Sequence, residues 1–176
     1  MYIIETERTF LRHLRVEDAE DLYSLNLDPD VIKYTGDRSF KSIREAEYFL
    51  RNYDQHRKYG VGRLAVIEKA SNEFIGWCGL KYLEDQDLYD LGYRFYRRYW
   101  NKGYATESAR ACLDYGFREL NLDKITGRAM KENIASIKVL EKTGMIFKKE
   151  AHFDEHEGVL FEMTKSEYQQ IQLIDK

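Results

Sequence analysis

The stretch Leu91-Gly-Tyr-Arg-Phe-Tyr-Arg-Arg-Tyr-Trp-Asn-Lys-Gly-Tyr-Ala-Thr-Glu-Ser108 decides the fold. Leu91, Tyr93 and Phe95 alternate with Gly92, Arg94 and Tyr96, the period of a strand. From Ala105 the apolar residues fall at Ala109, Cys112, Leu113, Gly116, Phe117 and Leu120, the period of a helix. The switch occurs across Asn101-Lys102-Gly103. A strand that turns sharply into a helix presents unpaired N–H groups and the positive end of the helix dipole. Such a junction binds phosphate, so a phosphorylated ligand is expected there.

Outward from this centre, strands and helices mix. Phe10, Arg12 and Leu14 give a short strand. Val16, Ala19, Leu22 and Leu25 give a helix stopped at Asp28-Pro29-Asp30. Ser42 is an N-cap for a helix carrying Ile43, Ala46, Leu50 and Tyr53 and ended by Gly60. Residues 64–67 and 74–83 read as a hairpin closed at Ala70-Ser71-Asn72. After the central strand (88–96) and helix (103–120), Lys124 to Met130 reads as a strand. Asn133 then caps a helix with Ile134, Ile137 and Leu140 that stops at Gly144. A final strand pair, 145–153 and 159–164, is joined by the acidic loop Asp154-Glu155-His156-Glu157-Gly158. This order predicts an α/β domain whose 88–130 stretch holds parallel strands.

The chain has 176 residues, so a single domain over 1–176 is expected, with 43% hydrophobic content for its core. The net charge of −3 and the lack of a long basic tract argue against nucleic acid as partner. Cys78 and Cys112 lie in apolar runs without metal-ligand spacing, which predicts buried free thiols, no metal and a cytoplasmic protein. Charge enters too early at the N-terminus for a signal peptide. No apolar run approaches the ~18 residues of a membrane span, so no membrane partner is expected.

Two motifs carry a resemblance to a known family. Trp100-Asn101-Lys102-Gly103-Tyr104-Ala105 resembles the pyrophosphate turn Gln/Arg-x-x-Gly-x-Gly/Ala of the GNAT superfamily of acetyl-CoA-dependent N-acetyltransferases. Gly103 and Ala105 match. Trp100 replaces the Gln or Arg, and Asn101 stands where many relatives have glycine. Asparagine tolerates positive φ, so the turn is expected to survive. Asn133-x-x-Ser136-x-x-x-Leu140-x-x-x-Gly144-Met145 resembles the family's second cofactor motif. The resemblance runs from about Thr9 to Glu167 and is nearest the branch of the ribosomal-protein N-terminal and polyamine acetyltransferases.

The resemblance implies the GNAT fold: a mixed central sheet of about six to seven strands flanked by about four helices, with splayed central parallel strands. It implies acetyl-CoA as co-substrate, bound at Phe95, Tyr96, Arg98, Trp100, Asn101, Lys102, Gly103, Tyr104, Ala105, Thr106 and Asn133. In that scheme an N–H at or near Phe95 polarises the acetyl carbonyl. Many relatives place a proton-donating tyrosine where this chain has Leu140, and Ser136 is the substitute hydroxyl. For the base, Asp90 ranks ahead of Glu84 and the 154–157 loop. The implied acceptor is a primary amine: a protein N-terminus, a polyamine or another small amine. Acidic loops such as Glu84-Asp85-Gln86-Asp87 favour a cationic one. Homodimers are common in the family. The Leu140 and Trp100 departures keep two alternatives open, a non-catalytic acyl-CoA sensor and an interaction module with a decayed site. Residue by residue, bland readings also stand: Asn133 as a plain N-cap, Glu107 as a dipole partner, and Trp77, Tyr82, Tyr93 and Tyr96 as core or pocket wall.

Overall fold

The computed structural model describes residues 2–153 and 156–174. Its strands are β1 (Ile4–Glu5), β2 (Thr9–His13), β3 (Arg63–Glu68), β4 (Phe74–Leu83), β5 (Leu88–Phe95), β6 (Lys124–Met130), β7 (Ile146–Phe153) and β8 (His156–Thr164). Its helices are α1 (Ala19–Leu27), α2 (Pro29–Ile32), α3 (Ile43–Arg51), α4 (Gln55–Tyr59), α5 (Tyr104–Arg118), α6 (Ile134–Lys142) and α7 (Lys165–Ile174), with short 3-10 turns at Val16–Asp18 and Arg97–Tyr99. The strands form one mixed sheet in the order β1-β2-β3-β4-β5-β6-β8-β7.

Helices cover both faces, so the central strands alternate between two cores. On β3, Leu64 and Val66 face a cluster that includes Leu113 and Phe117 of α5. Ala65 and Ile67 face a second cluster with Leu22 and Leu25 of α1 and Leu50 of α3. This double burial explains why β3 reads as a continuous apolar run.

The expected α/β class holds, and the departures from the sequence reading have local causes. The helix expected to run from Ser42 to Gly60 breaks into α3 and α4 at 52–54, and Gly60 caps the second piece at φ 70°. Pro29 does stop α1, but it also opens α2 as its first residue, where its missing N–H costs nothing. The strand β1 and the C-terminal helix α7 were not anticipated. α7 is held by Tyr168, whose ring stacks on Phe117 with centroids 4.9 Å apart.

The parallel pair creates the opening that matters for function. β5 is bonded to β4 along its whole length, and β6 is bonded likewise to β8. Between them, β5 and β6 pair only at Asp90↔Thr126 and Leu91↔Gly127. Each strand follows its antiparallel partner, and the twist of the sheet carries the two apart beyond Leu91.

A histidine pair bridges β2 and α4. The rings of His13 and His56 lie 4.0 Å apart between centroids, and the missing side chain of Gly62 admits the His56 ring. Burial lowers both pKa values from the ordinary 6.5. The unfolded chain therefore binds more protons near pH 6, and stability rises with pH there. The contribution is complete above pH 6.5 and is lost as pH falls below it. The melting temperature is expected to drop between pH 7.5 and 5.5, and to drop less in a His56→Gln variant.

Candidate active site

The turn between β5 and α5 is built from backbone that favours positive φ. Asn101 adopts φ 59° and Gly103 adopts φ 85°. Asparagine is among the few non-glycine residues that take this conformation at low cost. Gly103 is the N-cap of α5 and offers no side chain to the first turn. The N–H groups of Tyr104, Ala105 and Thr106 are therefore left without intrahelical partners, at the positive end of a 15-residue helix.

Arg8 holds the turn from behind. Its guanidinium donates to the Lys102 carbonyl at 2.9 Å, pairs with Glu107 at 2.6 Å and lies over the Tyr104 ring. Burial pushes the Glu107 carboxyl up, but bonds from Thr6 and Arg8 outweigh it and hold the group below the usual carboxylate range. Glu107 is thus a brace rather than a base. Trp100 takes a similar part on the other side, with Nε1 donating to the Phe95 carbonyl at 2.9 Å.

This turn opens into a cleft of about 560 Å³ that runs from the end of β5 to α6, on the side where β6 has left β5. Its walls include Tyr93, Phe95, Trp100, Asn101, Gly103 to Thr106, Asn133 and Ser136. The Tyr96 N–H bonds to Ile75 of β4 at 3.1 Å. The two-residue repeat then turns the N–H groups of Tyr93 and Phe95 toward the gap, where β6 has moved away. These strand donors and the helix N-terminus suit a long ligand with a phosphate end and an amide-bearing arm, which is the form of coenzyme A.

Asn133 caps α6, its side chain accepting from the Ser136 N–H at 3.2 Å. Ser136 faces Tyr93, and the two hydroxyls lie 2.9 Å apart. The Tyr93 hydroxyl also lies 2.9 Å from the Ser136 carbonyl. Burial raises the Tyr93 pKa well above 10, so this phenol stays protonated.

The remaining expectations need correction. Tyr96 is not in the cleft: strand parity sends its ring to the opposite layer, where its hydroxyl bonds the Asp21 carbonyl at 2.7 Å. Arg98 lies over the Tyr96 and Tyr99 rings and leans to Glu73. The Lys102 side chain lies toward Tyr99, and only its backbone belongs to the turn. Leu140 is buried with its end beneath Gly127, so this position faces the core.

Asp90 is likewise outside the cleft wall. It is bound twice by Arg128, at 3.1 and 3.3 Å, and accepts from Thr126 at 3.3 Å. Burial raises its pKa, and Arg128 and Thr126 counter this only in part. Its place is at the root of the splay, where β5 and β6 last touch. An Asp90→Ala variant is expected to lose about 2 kcal/mol of stability, less than a fully buried pair would cost because both side chains retain some exposure. Urea unfolding checks this. Of the other base candidates, Glu84 is taken by the Tyr59 hydroxyl on an exposed loop. Asp154 and Glu155 lie outside the described residues.

Lys138 and Lys142 on α6, and Lys33 and Tyr34 after α2, also line the cleft and were missed. The 138/142 spacing puts both lysines on one helical face, a signal readable in the sequence once the cleft is known. Among the described residues there is no metal-type cluster of His, Cys, Asp and Glu, and no helix long and apolar enough to cross a membrane.

Comparison with known proteins agrees with this geometry. Residues 8–146 match the family model described as an acetyltransferase (GNAT) domain. The chain is 32% identical to the Bacillus licheniformis protein named uncharacterized N-acetyltransferase p20, over 96% of this chain and 99% of that one. A crystal structure of a GNAT-family acetyltransferase from Bacillus anthracis superposes with a TM-score of 0.81 at 27% identity, covering 94% of this chain and 99% of that one. The spermidine N-acetyltransferase of Vibrio cholerae, solved with CoA and spermine, shares the fold at 22% identity, with a TM-score of 0.77 over 92% of this chain and 98% of that one. The protein is an acyltransferase, and the chain belongs to the GNAT family of acetyltransferases, which use acetyl-CoA.

Proposed function

We propose that this protein moves an acetyl group from acetyl-CoA to a primary amine by direct attack within a ternary complex. The observation that carries the reading is the continuity of the 101–106 turn with the β5/β6 gap. Phosphate donors and strand donors lie along one cleft. The backbone N–H groups of Gly103 to Thr106 receive the pyrophosphate, with Asn101 shaping the turn and Lys138 and Lys142 adding charge at the cleft wall. Asn133 bonds the pantetheine arm. When bound, acetyl-CoA supplies an activated thioester.

The residues then have little chemistry to do. Holding the thioester beside the amine supplies much of the rate. The Phe95 N–H polarises the acetyl carbonyl as charge develops on its oxygen. The amine nitrogen forms a bond to the acetyl carbon, and the carbon–sulfur bond breaks. Ser136, backed by the Tyr93 hydroxyl, donates to the departing sulfur, which leaves as a thiol. The amine's proton passes through water to restore the Ser136 hydroxyl, since Asp90 is held by Arg128 away from the cleft. An α-amine, with a reference pKa of about 8, suits such a site better than a lysine-like amine at about 10.4.

Thiol release from acetyl-CoA across a panel of amines, amino acids and N-terminal peptides tests the reading. Saturable release with at least one acceptor is expected. Acetyl-CoA binding with no release for any acceptor would overturn it.

A further inference from the structure

The face of the sheet opposite α5 carries an unbalanced set of cations beside the cleft. Register places Trp77 opposite Arg94, Gly79 opposite Gly92 and Lys81 opposite Asp90 on adjacent strands. Arg63 enters from β3 opposite Gly79, and Arg128 from β6 pairs with Asp90. Arg63 and Arg94 both lie over the Trp77 ring, at 4.2 and 5.3 Å. A methyl group at Gly92 would touch that ring, at 3.4 and 3.6 Å, so Trp77 forms the floor of the surface beside Gly92.

Two of these cations are balanced by acids on the protein. Arg128 has Asp90, and Arg94 has Asp37 at 2.6 Å. Arg63 and Lys81 make no salt bridge among the described residues, although Lys81 stands opposite the Asp90 that Arg128 already holds. Arg94 is itself 8% exposed, lines the cleft and has a buried Nε–H with no acceptor, although Asn26 and Asp37 take its terminal nitrogens. A buried donor left unpaired is costly and marks a place for a ligand acceptor. Burial, then the fields of Arg63 and Arg128, push the Lys81 pKa down, against the smaller opposing pull of Asp90 and Asp37.

The acidic hairpin that favoured a cationic acceptor keeps its charge but leans to the other face of the sheet, where Tyr59 and Tyr82 pack. Glu84 and Asp87 accept the Tyr59 and Tyr82 hydroxyls on the exposed loop.

We infer that the acceptor amine carries an anionic group, a carboxylate, which is received by Arg63 and Lys81 while the amine end reaches the cleft beside Arg94. This rests on the acetyl-transfer reading above. Lys81 and Arg94 stand four residues apart along the β4/β5 ladder, about 13 Å. An extended peptide covers that span in about four residues, so the acceptor is at most a short peptide and, where the Lys81 side chain reaches inward, as small as a dipeptide. A polyamine meets repulsion here, so the site differs in kind from one that takes a polycation.

The test compares free amino acids and dipeptides with their own C-terminal amides, and with spermidine, by thiol release from acetyl-CoA. The wild type is expected to favour the acid over its amide by about tenfold or more in kcat/KM, the worth of one charge-assisted hydrogen bond. In Lys81→Gln and in Arg63→Gln that ratio is expected to fall toward 1. A preference for amides or spermidine, or an acid-to-amide ratio unmoved by both substitutions, overturns the inference. If acetyl-CoA binds but no amine is acetylated, the transfer reading itself has failed. The anion site is then decided by calorimetry, titrating the CoA complex with N-acetyl amino acids and their amides. Carboxylate-selective binding that Lys81→Gln weakens sustains the site, and equal binding of acid and amide ends it.

Discussion

A Gly103→Glu protein is expected to bind acetyl-CoA at least about a hundredfold more weakly than the wild type, while keeping its fold. Position 103 sits at φ 85°, and a side chain there costs of order 1–3 kcal/mol of backbone strain. The first added atom would also meet the Arg8 guanidinium at 3.2 Å, the group that anchors the turn. A carboxylate at the helix N-terminus would then occupy the donors proposed for the pyrophosphate and repel its charge. Together these effects exceed the ~2.7 kcal/mol that a hundredfold loss requires. Isothermal titration measures the affinity, and circular dichroism confirms that the helices remain. Gly103→Asn is the informative companion. Asparagine takes positive φ with little strain, so it should retain much more of the affinity. Equal binding by wild type and the glutamate variant would move the cofactor off this turn.

The second large effect is expected at the paired hydroxyls. Ser136→Ala should lower kcat by about 10- to 100-fold with little change in acetyl-CoA affinity, the usual cost of removing one donor to developing charge. Tyr93→Phe removes the hydroxyl 2.9 Å from the serine and should produce a loss of similar size. If the two act as one unit, the double variant is no slower than the worse single. Multiplicative losses would mean that they act separately. Because the thiol is a tolerable leaving group, with a pKa of roughly 8.5 on the cysteine scale, neither change should abolish turnover. Steady-state kinetics with the best acceptor, paired with calorimetry for cofactor affinity, separates the two effects.

The elements legible in the chain were those with strong local signals. Lys124–Met130 forms a strand over the expected span, and Asn133 caps the helix it was expected to cap. The helix after Gly103 ends only two residues short of its expected limit. Asn101 reads as a residue able to turn left-handed, and it does. In each case propensity, period and capping chemistry all act within a few residues, and nothing tertiary opposes them. α7 was overlooked because its hold on the fold is distant: Tyr168 stacks on Phe117, and Ile171 lies near Gly144.

The site divides along the same line. The sequence by itself determined the phosphate-type turn, the Asn133 cap and the nearness of Ser136 to them, because each is a property of a strand–helix junction. Only the tertiary structure decided which side chains face the cleft. Strand parity removes Tyr96. The meeting of β5 and β6 gives Asp90 to Arg128. The packing of α6 against α5 and β6 brings the Ser136 hydroxyl onto Tyr93 of β5. The charge of the face proposed to receive the acceptor was hidden for the same reason. Arg63, Lys81, Arg94 and Arg128 are scattered through a chain of net charge −3, and only the register of β3 to β6 puts them on one surface. Local structure follows from interactions between neighbours in the chain. A binding surface is the sum of groups brought together by strand pairing, and the spacing of residues along the chain does not contain that sum.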